Sequence, residues 1–269
     1  MDPRVAMTIA GSDSGGGAGL QADLKTFAAH RVFGTSVVTA VTAQNTAAVL
    51  GVHVLDPAFV DLQIAAVVSD LPVVAVKTGM LASSATVAAV ARRAAAGDLP
   101  DLVVDPVLVA STGRPLLDDD GIAAYLELLL PHAAVVTPNT TEAALLAGHA
   151  VDDVDAMVRA AHRLAATGAR VVVVTGGHLG GEHAPDVVLL DGTVHVLEGP
   201  RVVSGNDHGT GCTLSAAITA HLARGAAVLD AVTRAKDFVT AALDGAAGWH
   251  LGAGHGPLDH FGWRDHAGP

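Results

Sequence analysis

The feature that most constrains the fold is a regular alternation between short runs of β-branched residues and longer Ala-rich stretches. Such alternation is typical of βα units, in which helices connect parallel strands, and it predicts an α/β protein with a mostly parallel central sheet. Residues 191–192, Asp-Gly, are a strong hairpin signal, which predicts an antiparallel edge. The predicted strands are residues 6–10, 36–43, 73–78, 102–105, 134–137, 171–175, 186–190 and 193–197.

The stretches of helical length carry apolar faces that we expect to pack on the sheet. They are residues 20–30, 57–69, 82–96, 118–130, 141–147, 154–167, 210–224 and 229–246. The sequence has no Pro- or Ser-rich linker, charge block or internal repeat, so we expect one domain over residues 1–269. The His- and Gly-rich end, residues 248–269, has the composition of a loosely ordered tail.

Composition limits the classes of partner. A net charge of −12 argues against nucleic acid, which needs a clustered excess of Lys and Arg. The apolar runs are broken well before the length that crosses a bilayer, and the apolar core of a secretion signal is missing. The single cysteine, Cys212, excludes an internal disulfide and fits a reducing compartment, so we expect a cytoplasmic protein without a membrane partner.

A glycine-rich run, residues 11–19 (GSDSGGGAG), follows the first strand, where a ligand could approach the bare backbone. The run matches neither the dinucleotide fingerprint nor the P-loop, and a flexible tight turn is an equally good interpretation. Asp23 on the next helix could accept a hydrogen bond from a substrate, or simply complement the helix dipole. Gln44 ends a strand, and its amide offers both donor and acceptor to an aminopyrimidine edge; the alternative is an exposed polar strand end.

Oxygen-bearing side chains follow two other strands. Asp105 closes one strand, and Asn139 and Glu142 follow another. Mg²⁺ prefers oxygen ligands and often bridges phosphates, so these residues are candidates for a magnesium site. The alternatives are a turn acid before proline for Asp105 and a helix cap for Asn139 and Glu142.

The most specific element is residues 208–215 (HGTGCTLS), ahead of a long Ala-rich helix. Amide groups at a helix N-terminus bind anions, and Gly209, Thr210 and Gly211 would let the backbone close around a phosphate. A thiol at this positive end can have a lowered pKa, which makes Cys212 a candidate base. The alternative is a glycine-rich turn that caps the helix, with Cys212 as a small core residue.

Together these motifs resemble the hydroxymethylpyrimidine/phosphomethylpyrimidine kinases of thiamine biosynthesis, in the ribokinase-like superfamily. The resemblance covers nearly the whole chain. It is carried by residues 8–26, 42–46, 77–81 (KTGML), 104–107 (VDPV), 137–139 with 142–143, 176–178 (GGH) and 208–215. It implies a single three-layer α/β/α domain that moves phosphate from ATP to a pyrimidine hydroxymethyl group and then to the resulting monophosphate.

The resemblance also implies roles for single residues. The pyrimidine pocket would be lined by Gly11, Asp23, Gln44, Met80, Val107 and Cys212. Asn139 and Glu142, with Asp105, would serve Mg²⁺ and phosphates, and residues 209–211 would form the anion hole. ATP would also meet Gly177 and Thr175, but this family has Lys where the chain has Thr175, and Thr replaces the lost charge only partly. Lys236 could approach the nucleotide, although a solvated helix Lys is its ordinary interpretation.

Four further expectations concern specificity, assembly and closure of the site. A pyridoxal-type kinase is the nearest alternative, because that substrate also carries a ring hydroxymethyl group. A catalytically weakened pyrimidine-binding protein is the second alternative, and only Thr175 favours it. The resemblance implies a homodimer, and residues 110–115 and 179–185 are candidate lids that would exclude water.

Overall fold

The computed structural model describes residues 2–109, 116–118 and 120–263. Within them, nine strands form one mixed sheet in the order β3-β2-β1-β4-β5-β6-β7-β8-β9. The strands are β1 (Val5–Ser12), β2 (Phe33–Gln44), β3 (Val49–Val54), β4 (Val73–Thr78), β5 (Val103–Val104), β6 (Val135–Val136), β7 (Val171–Thr175), β8 (Asp186–Leu190) and β9 (Thr193–Leu197).

The centre of the sheet is parallel and both edges are antiparallel. Strands β2, β1, β4, β5, β6 and β7 run parallel. Strand β3 is antiparallel to β2, and β7, β8 and β9 form an antiparallel edge. The turn between β8 and β9 is the predicted Asp191-Gly192, with φ angles of 49° and 75°, which suit a two-residue hairpin.

Helices cover both faces of the sheet, which confirms the three-layer α/β/α prediction. The helices are α1 (Gly19–Ala29), α2 (Pro57–Val68), α3 (Ser84–Ala95), α4 (Gly121–Ala124), α5 (Thr140–Ala147), α6 (Val154–Ala165), α7 (Thr210–Ala223) and α8 (Val228–Ala246). Alternate residues of each central strand enter two separate cores, because successive strand side chains point to opposite faces. Val104 and Val136 pack with α2, α3, α5 and α6, whereas Val103 and Val135 pack with α1, α7 and α8.

Two local predictions were incomplete. Strand β3 was not predicted; Gly51 interrupts its apolar run and most of its residues are exposed, so it lacks a clear alternation. The helix predicted over residues 118–130 is instead the short α4, followed by a π-helical turn at Tyr125–Leu129 and a 3₁₀ turn at Leu130–His132. Pro131 has no N–H group and cannot continue a regular helix.

The C-terminal segment, residues 248–263, is packed on the domain, so the prediction of a loose tail was wrong for these residues. Asp259 N donates to Ala242 O (3.0 Å), and His208 N donates to Gly256 O (3.1 Å). The His260 ring lies 3.0 Å from the Thr213 hydroxyl in a buried contact. The segment therefore braces the start of α7 from behind. Residues 264–269 lie outside the described part of the chain.

Among the described residues, no helix combines the length and the apolar character that crossing a membrane requires.

Candidate active site

The candidate site lies at the carboxyl edge of the parallel strands, where open α/β sheets place ligands. Strands β1, β2, β4, β5, β6 and β7 all end here, and the N-terminus of α7 approaches from one side. Most predicted site residues follow one of these strand ends. The others lie on helices or at a helix start: Asp23 on α1, Glu142 on α5, Gly209 to Cys212 at the start of α7, and Lys236 on α8.

A buried charge cluster forms the floor of the site. The Lys77 ammonium lies 2.8 Å from Asp23 Oδ1 and 3.7 Å from Asp105 Oδ2. The Thr8 hydroxyl donates to Asp23 Oδ2 (2.6 Å), and the Ser215 hydroxyl donates to Asp105 Oδ2 (3.0 Å). Burial alone would lower the pKa of Lys77, but the neighbouring carboxylates raise it, so the side chain stays charged.

This cluster changes the interpretation of Asp23. Both of its carboxylate oxygens already have partners, and the side chain is fully buried. Because the side chain is fully buried, a substrate could reach its remaining acceptor sites only if neighbouring atoms moved. Lys77 was missed as a functional residue, although a lysine at the end of a buried apolar strand is itself a signal, because a buried ammonium needs a counter-ion.

The glycine-rich loop is held by Asp13, which the sequence analysis did not single out. Its carboxylate accepts from the backbone N–H groups of Gly15 (2.8 Å), Gly17 (3.1 Å) and Ala18 (2.9 Å). It also accepts from His208 Nε2 at 2.9 Å. The loop is therefore an ordered structure tied to the start of α7, and not a flexible turn.

The two glycine-rich loops touch through their backbones. A Cβ atom on Gly209 would lie 1.9 Å from Gly17 O, and the φ angle of Gly209 is +90°. A side chain is therefore excluded there both by contact and by conformation. At Gly211, by contrast, a Cβ would meet nothing within 4 Å, so the anion loop is open on the side away from Gly17.

The predicted pocket residues fall into neighbouring positions. A Cβ on Gly11 would lie 2.3 Å from the Met80 Cε, so these two residues are in contact. The Met80 carbonyl accepts from the Thr39 hydroxyl at 2.6 Å. The Gln44 carboxamide meets the His208 ring, and Val107 follows Asp105 by two residues at a partly exposed position.

Cys212 does not have the predicted lowered pKa. Burial raises the pKa of its thiol to about 12; Lys77 works against that shift, while Asp105 and Asp23 add to it. The raised pKa favours the protonated thiol, which differs from the lowered pKa that the sequence predicted. The role of Cys212 as a base stays a prediction.

Asn139 and Glu142 form a capping box at the start of α5. The Asn139 side chain accepts from Glu142 N (3.0 Å), and Glu142 Oε2 accepts from Asn139 N (3.0 Å). The helix-cap alternative therefore describes this pair. Burial raises the pKa of Glu142 to about 8, and the charge of Asp105 adds to the shift.

Asp105 and Glu142 are the candidate ligands of a cation. Burial raises the pKa of Asp105 as well as that of Glu142. A cation bound beside them would favour the deprotonated form of each carboxyl group. Within the described ranges, no group of three or more His, Cys, Asp or Glu side chains could hold a metal ion. Two carboxyl groups with phosphate oxygens and waters fit the ordinary environment of Mg²⁺.

Lys236 is an ion-paired residue near the end of β7, and not a solvated lysine. Its ammonium donates to Asp186 Oδ2 (2.8 Å) and to Ala184 O (2.6 Å), and its side chain is 12% exposed. Asp186 is the strand partner of Thr175, and its Oδ1 accepts from Gly176 N (3.0 Å). Lys236 therefore brings positive charge close to Thr175, where the resemblance led us to expect a lysine.

One candidate lid, residues 179–185, is fastened in this structure. The Arg201 guanidinium donates to the carbonyls of Gly177 (2.7 Å), Leu179, Gly181 (2.8 Å) and His183 (3.2 Å). The same stretch pairs with residues 199–201 through backbone hydrogen bonds. The other candidate lid, residues 110–115, lies outside the described residues.

A cleft beside Lys236 opens between α8 and the segment before α7. Its lining includes Arg201, Val202 and Val203 on one wall and Asp237, Thr240 and Asp244 on the other. It combines apolar surface with carboxylates and a hydroxyl that accept hydrogen bonds.

Comparisons with known proteins point to one family. A family model described as phosphomethylpyrimidine kinase matches residues 13–259. The chain is 49% identical to a hydroxymethylpyrimidine/phosphomethylpyrimidine kinase of Rhizobium meliloti, over 97% of this chain and 99% of the relative. It is 43% identical to the Bacillus subtilis protein of the same description, over 96% and 95% of the two chains.

Solved structures with this fold include kinases of two substrate types. An ADP complex of Bacillus subtilis pyridoxal kinase has a TM-score of 0.91 at 39% identity, over 98% of this chain and 99% of that one. A phosphomethylpyrimidine kinase of Clostridium difficile has a TM-score of 0.78 at 39% identity, over 88% and 97%. A Staphylococcus aureus pyridoxal kinase with AMP-PCP and pyridoxal has a TM-score of 0.88 at 33% identity, over 98% and 96%.

Proposed function

The chain belongs to the phosphomethylpyrimidine kinase family, and we propose that it phosphorylates 4-amino-5-hydroxymethyl-2-methylpyrimidine and then its monophosphate, with ATP as donor. The observation that carries this proposal is the contact between the two glycine-rich loops. It brings an anion-binding helix start, Gly209 to Gly211, against the loop that begins at Gly11, beside Met80 and Gln44. The phosphate-binding loop and the ring pocket are therefore adjacent.

In the proposed site, the transferred phosphate lies at the N-terminus of α7. Backbone N–H groups of Gly209, Thr210 and Gly211 would stabilise the charge that develops on its oxygens. Phosphoryl transfer needs mostly positioning and electrostatic stabilisation, so this loop is expected to contribute more than any proton transfer. Cys212 would contact the substrate hydroxymethyl group as a neutral thiol, since its pKa is raised.

The nucleotide would extend from that loop towards α8. Lys236, Asn139, Thr175 and Gly177 would contact its phosphates, and the cleft lined by Val203 and Thr240 would accept the adenine ring. The Lys236–Asp186 pair supports this arrangement, because it holds an ammonium beside the end of β7. Mg²⁺ bound by Asp105 and Glu142 would supply charge neutralisation for the phosphates.

Phosphorylation of pyridoxal is the second candidate function. The observation that favours it is the similarity to pyridoxal kinases, with a TM-score of 0.91 for the Bacillus subtilis protein. A pyridine ring with a hydroxymethyl group could use the same anion loop. A binding protein without turnover is the third possibility, and only the missing lysine at Thr175 favours it.

We also propose that the protein is a cytoplasmic homodimer. Strand β3 is a sheet edge whose Leu50 and Val54 are 76% and 43% exposed, and Phe59 and Leu62 on the neighbouring α2 are also exposed. An apolar sheet edge favours pairing with another chain. Light scattering on the wild type and on Leu50→Glu tests this surface, with the exposed Leu145→Glu on α5 as the control. A monomeric wild type would refute it.

A coupled ATP-consumption assay tests the function. Hydroxymethylpyrimidine, its monophosphate and pyridoxal are supplied in turn to the wild type and to Cys212→Ala. Turnover on the first two substrates, with a lower rate in Cys212→Ala, supports the proposal. Turnover on pyridoxal alone favours the second candidate, and ligand binding without ATP consumption favours the third.

A further inference from the structure

One ring nitrogen joins the two glycine-rich loops to the predicted ring-binding residue. His208 Nε2 lies 2.9 Å from Asp13 Oδ2 and 3.3 Å from the Nε2 position of Gln44. The side chains of Asp13 and His208 are 5% and 15% exposed, so water competes little with these contacts. Three residues that are far apart in sequence thus meet at one atom.

The charge of Asp13 determines whether His208 Nε2 carries a hydrogen. Burial would raise the pKa of Asp13, but the contact with His208 and the backbone N–H groups of Ala18 and Gly15 lower it overall. An ionised carboxylate only accepts hydrogen bonds. His208 Nε2 must therefore be the donor, in the Nε2–H tautomer or the protonated ring.

The same hydrogen determines how Gln44 is oriented. A nitrogen that carries a hydrogen and donates it has no lone pair for the Gln44 amide NH₂. The two ends of a carboxamide have nearly the same shape, and their hydrogen-bond partners decide which end is oxygen. The Gln44 oxygen must therefore occupy the position facing His208, and its NH₂ group the opposite one.

The backbone of Gln44 keeps its side chain in reach of this contact. Gln44 N donates to the Ser14 hydroxyl (2.8 Å), and that hydroxyl donates to Gln44 O (2.8 Å). Ser14 belongs to the same loop as Asp13, so the loop that holds the His208 ring also anchors the backbone of Gln44. The opposite end of the amide makes no hydrogen bond to the described part of the protein.

We propose that His208 is a positioning residue that fixes Gln44 with its NH₂ group as the donor, so that the site selects substrates presenting a hydrogen-bond acceptor on the ring. A pyrimidine ring nitrogen beside the amino group meets this requirement. The inference rests on the proposed function and adds to it which kind of hydrogen-bonding group on the substrate ring the site recognises. It also links recognition to phosphate binding, since His208 directly precedes Gly209.

Gln44→Glu separates the two orientations. A glutamate keeps an oxygen for His208 but puts a second oxygen where the NH₂ would be. We expect the KM for the pyrimidine to rise about 10- to 100-fold, because a charged acceptor replaces a donor, while the KM for ATP changes less than about twofold. If Gln44 instead accepts from the ring's amino group, the KM will stay the same or fall, and the inference is wrong.

His208 variants test the positioning role. His208→Leu removes the donor and should raise the pyrimidine KM about 5- to 10-fold, and His208→Gln, whose amide NH₂ reaches the same place, should restore most of it. Equal losses in both variants would overturn the role. If His208→Leu does not fold, Gln44→Glu alone decides. A wild type that does not turn over the pyrimidine refutes the proposed function, whereas normal turnover with an unchanged Gln44→Glu refutes only this inference.

Discussion

The Nζ atom of Lys77 lies 2.8 Å from Oδ1 of Asp23, and both side chains are completely removed from solvent. Removing one member of a buried ion pair leaves an uncompensated charge, which typically costs about 3–5 kcal/mol. We expect Lys77→Met to lower the free energy of unfolding by about that amount. Urea denaturation followed by circular dichroism measures it.

Two further variants give this first prediction its controls. Arg170→Met breaks an exposed pair with Asp101 (3.6 Å) and should change the free energy of unfolding by less than about 0.5 kcal/mol. The double variant Asp23→Leu/Lys77→Met removes both charges of this pair and should recover part of the lost stability, because only Asp105 is left without its cation. Additive losses in the double variant would contradict the ion-pair explanation.

Glu142 should make stability depend on pH. Its pKa is raised to about 8 in the folded protein, so between about pH 4.5 and 8 the folded state binds more protons than the unfolded state. Stability contributed by the protonated carboxyl is therefore lost as pH rises through this range. Relative to the wild type, Glu142→Gln should become more stable at pH 8 than at pH 5.5, as measured by urea denaturation in EDTA.

Magnesium provides a second test of the role of Glu142. At pH 8, Mg²⁺ should restore stability to the wild type more than to Glu142→Gln, since binding favours the deprotonated carboxyl. The exposed Glu127→Gln serves as a control for the loss of one charge. A parallel pH profile for the wild type and Glu142→Gln would refute the assignment.

Gly209→Ala should abolish the anion loop. The new Cβ would lie 1.9 Å from Gly17 O, at a φ of +90° that Ala rarely adopts. We expect kcat to fall at least about 100-fold, the order lost when one preorganised donor is removed. Gly205→Ala, where a Cβ meets nothing within 4 Å, should keep kcat near the wild-type value. Similar rates for the two variants would show that the loop contact is dispensable.

Thr175→Lys should improve the use of ATP. A lysine at the end of β7 adds a charge-assisted contact to the phosphates, worth roughly a tenfold gain in kcat/KM for ATP. Thr175→Met adds similar length without charge and should give no gain. If Thr175→Lys gives no gain in kcat/KM for ATP, the prediction is wrong and Lys236 already supplies the charge. In that case Lys236→Met would lower kcat/KM for ATP.

Local sequence signals were sufficient for much of the fold. Strands β4, β7, β8 and β9 were predicted with the bounds that the structure has, because each is a short apolar run with a sharp stop. Strand β3 was missed because an exposed antiparallel edge leaves little hydrophobic pattern. The turns after α4 were missed because a single proline within an apolar stretch does not reveal where the α-helix ends.

The candidate site was predictable where a motif lies within one strand end or one helix start, as at Gly209 to Gly211. It was not predictable where residues meet only in three dimensions. Lys77 and Asp23 are 54 residues apart, and His208 and Asp13 are 195 residues apart. The raised pKa of Cys212 has the same origin, because it comes from burial between several elements, to which Asp105 and Asp23 add.

The C-terminal segment has a consequence for the order of folding during synthesis. The start of α7 is braced by Gly256 and His260, which leave the ribosome after every strand of the sheet. A nascent chain can therefore complete its sheet and bury most of its core before the anion loop has its support. The support of the anion loop would then arise only once residues 256–260 have been translated.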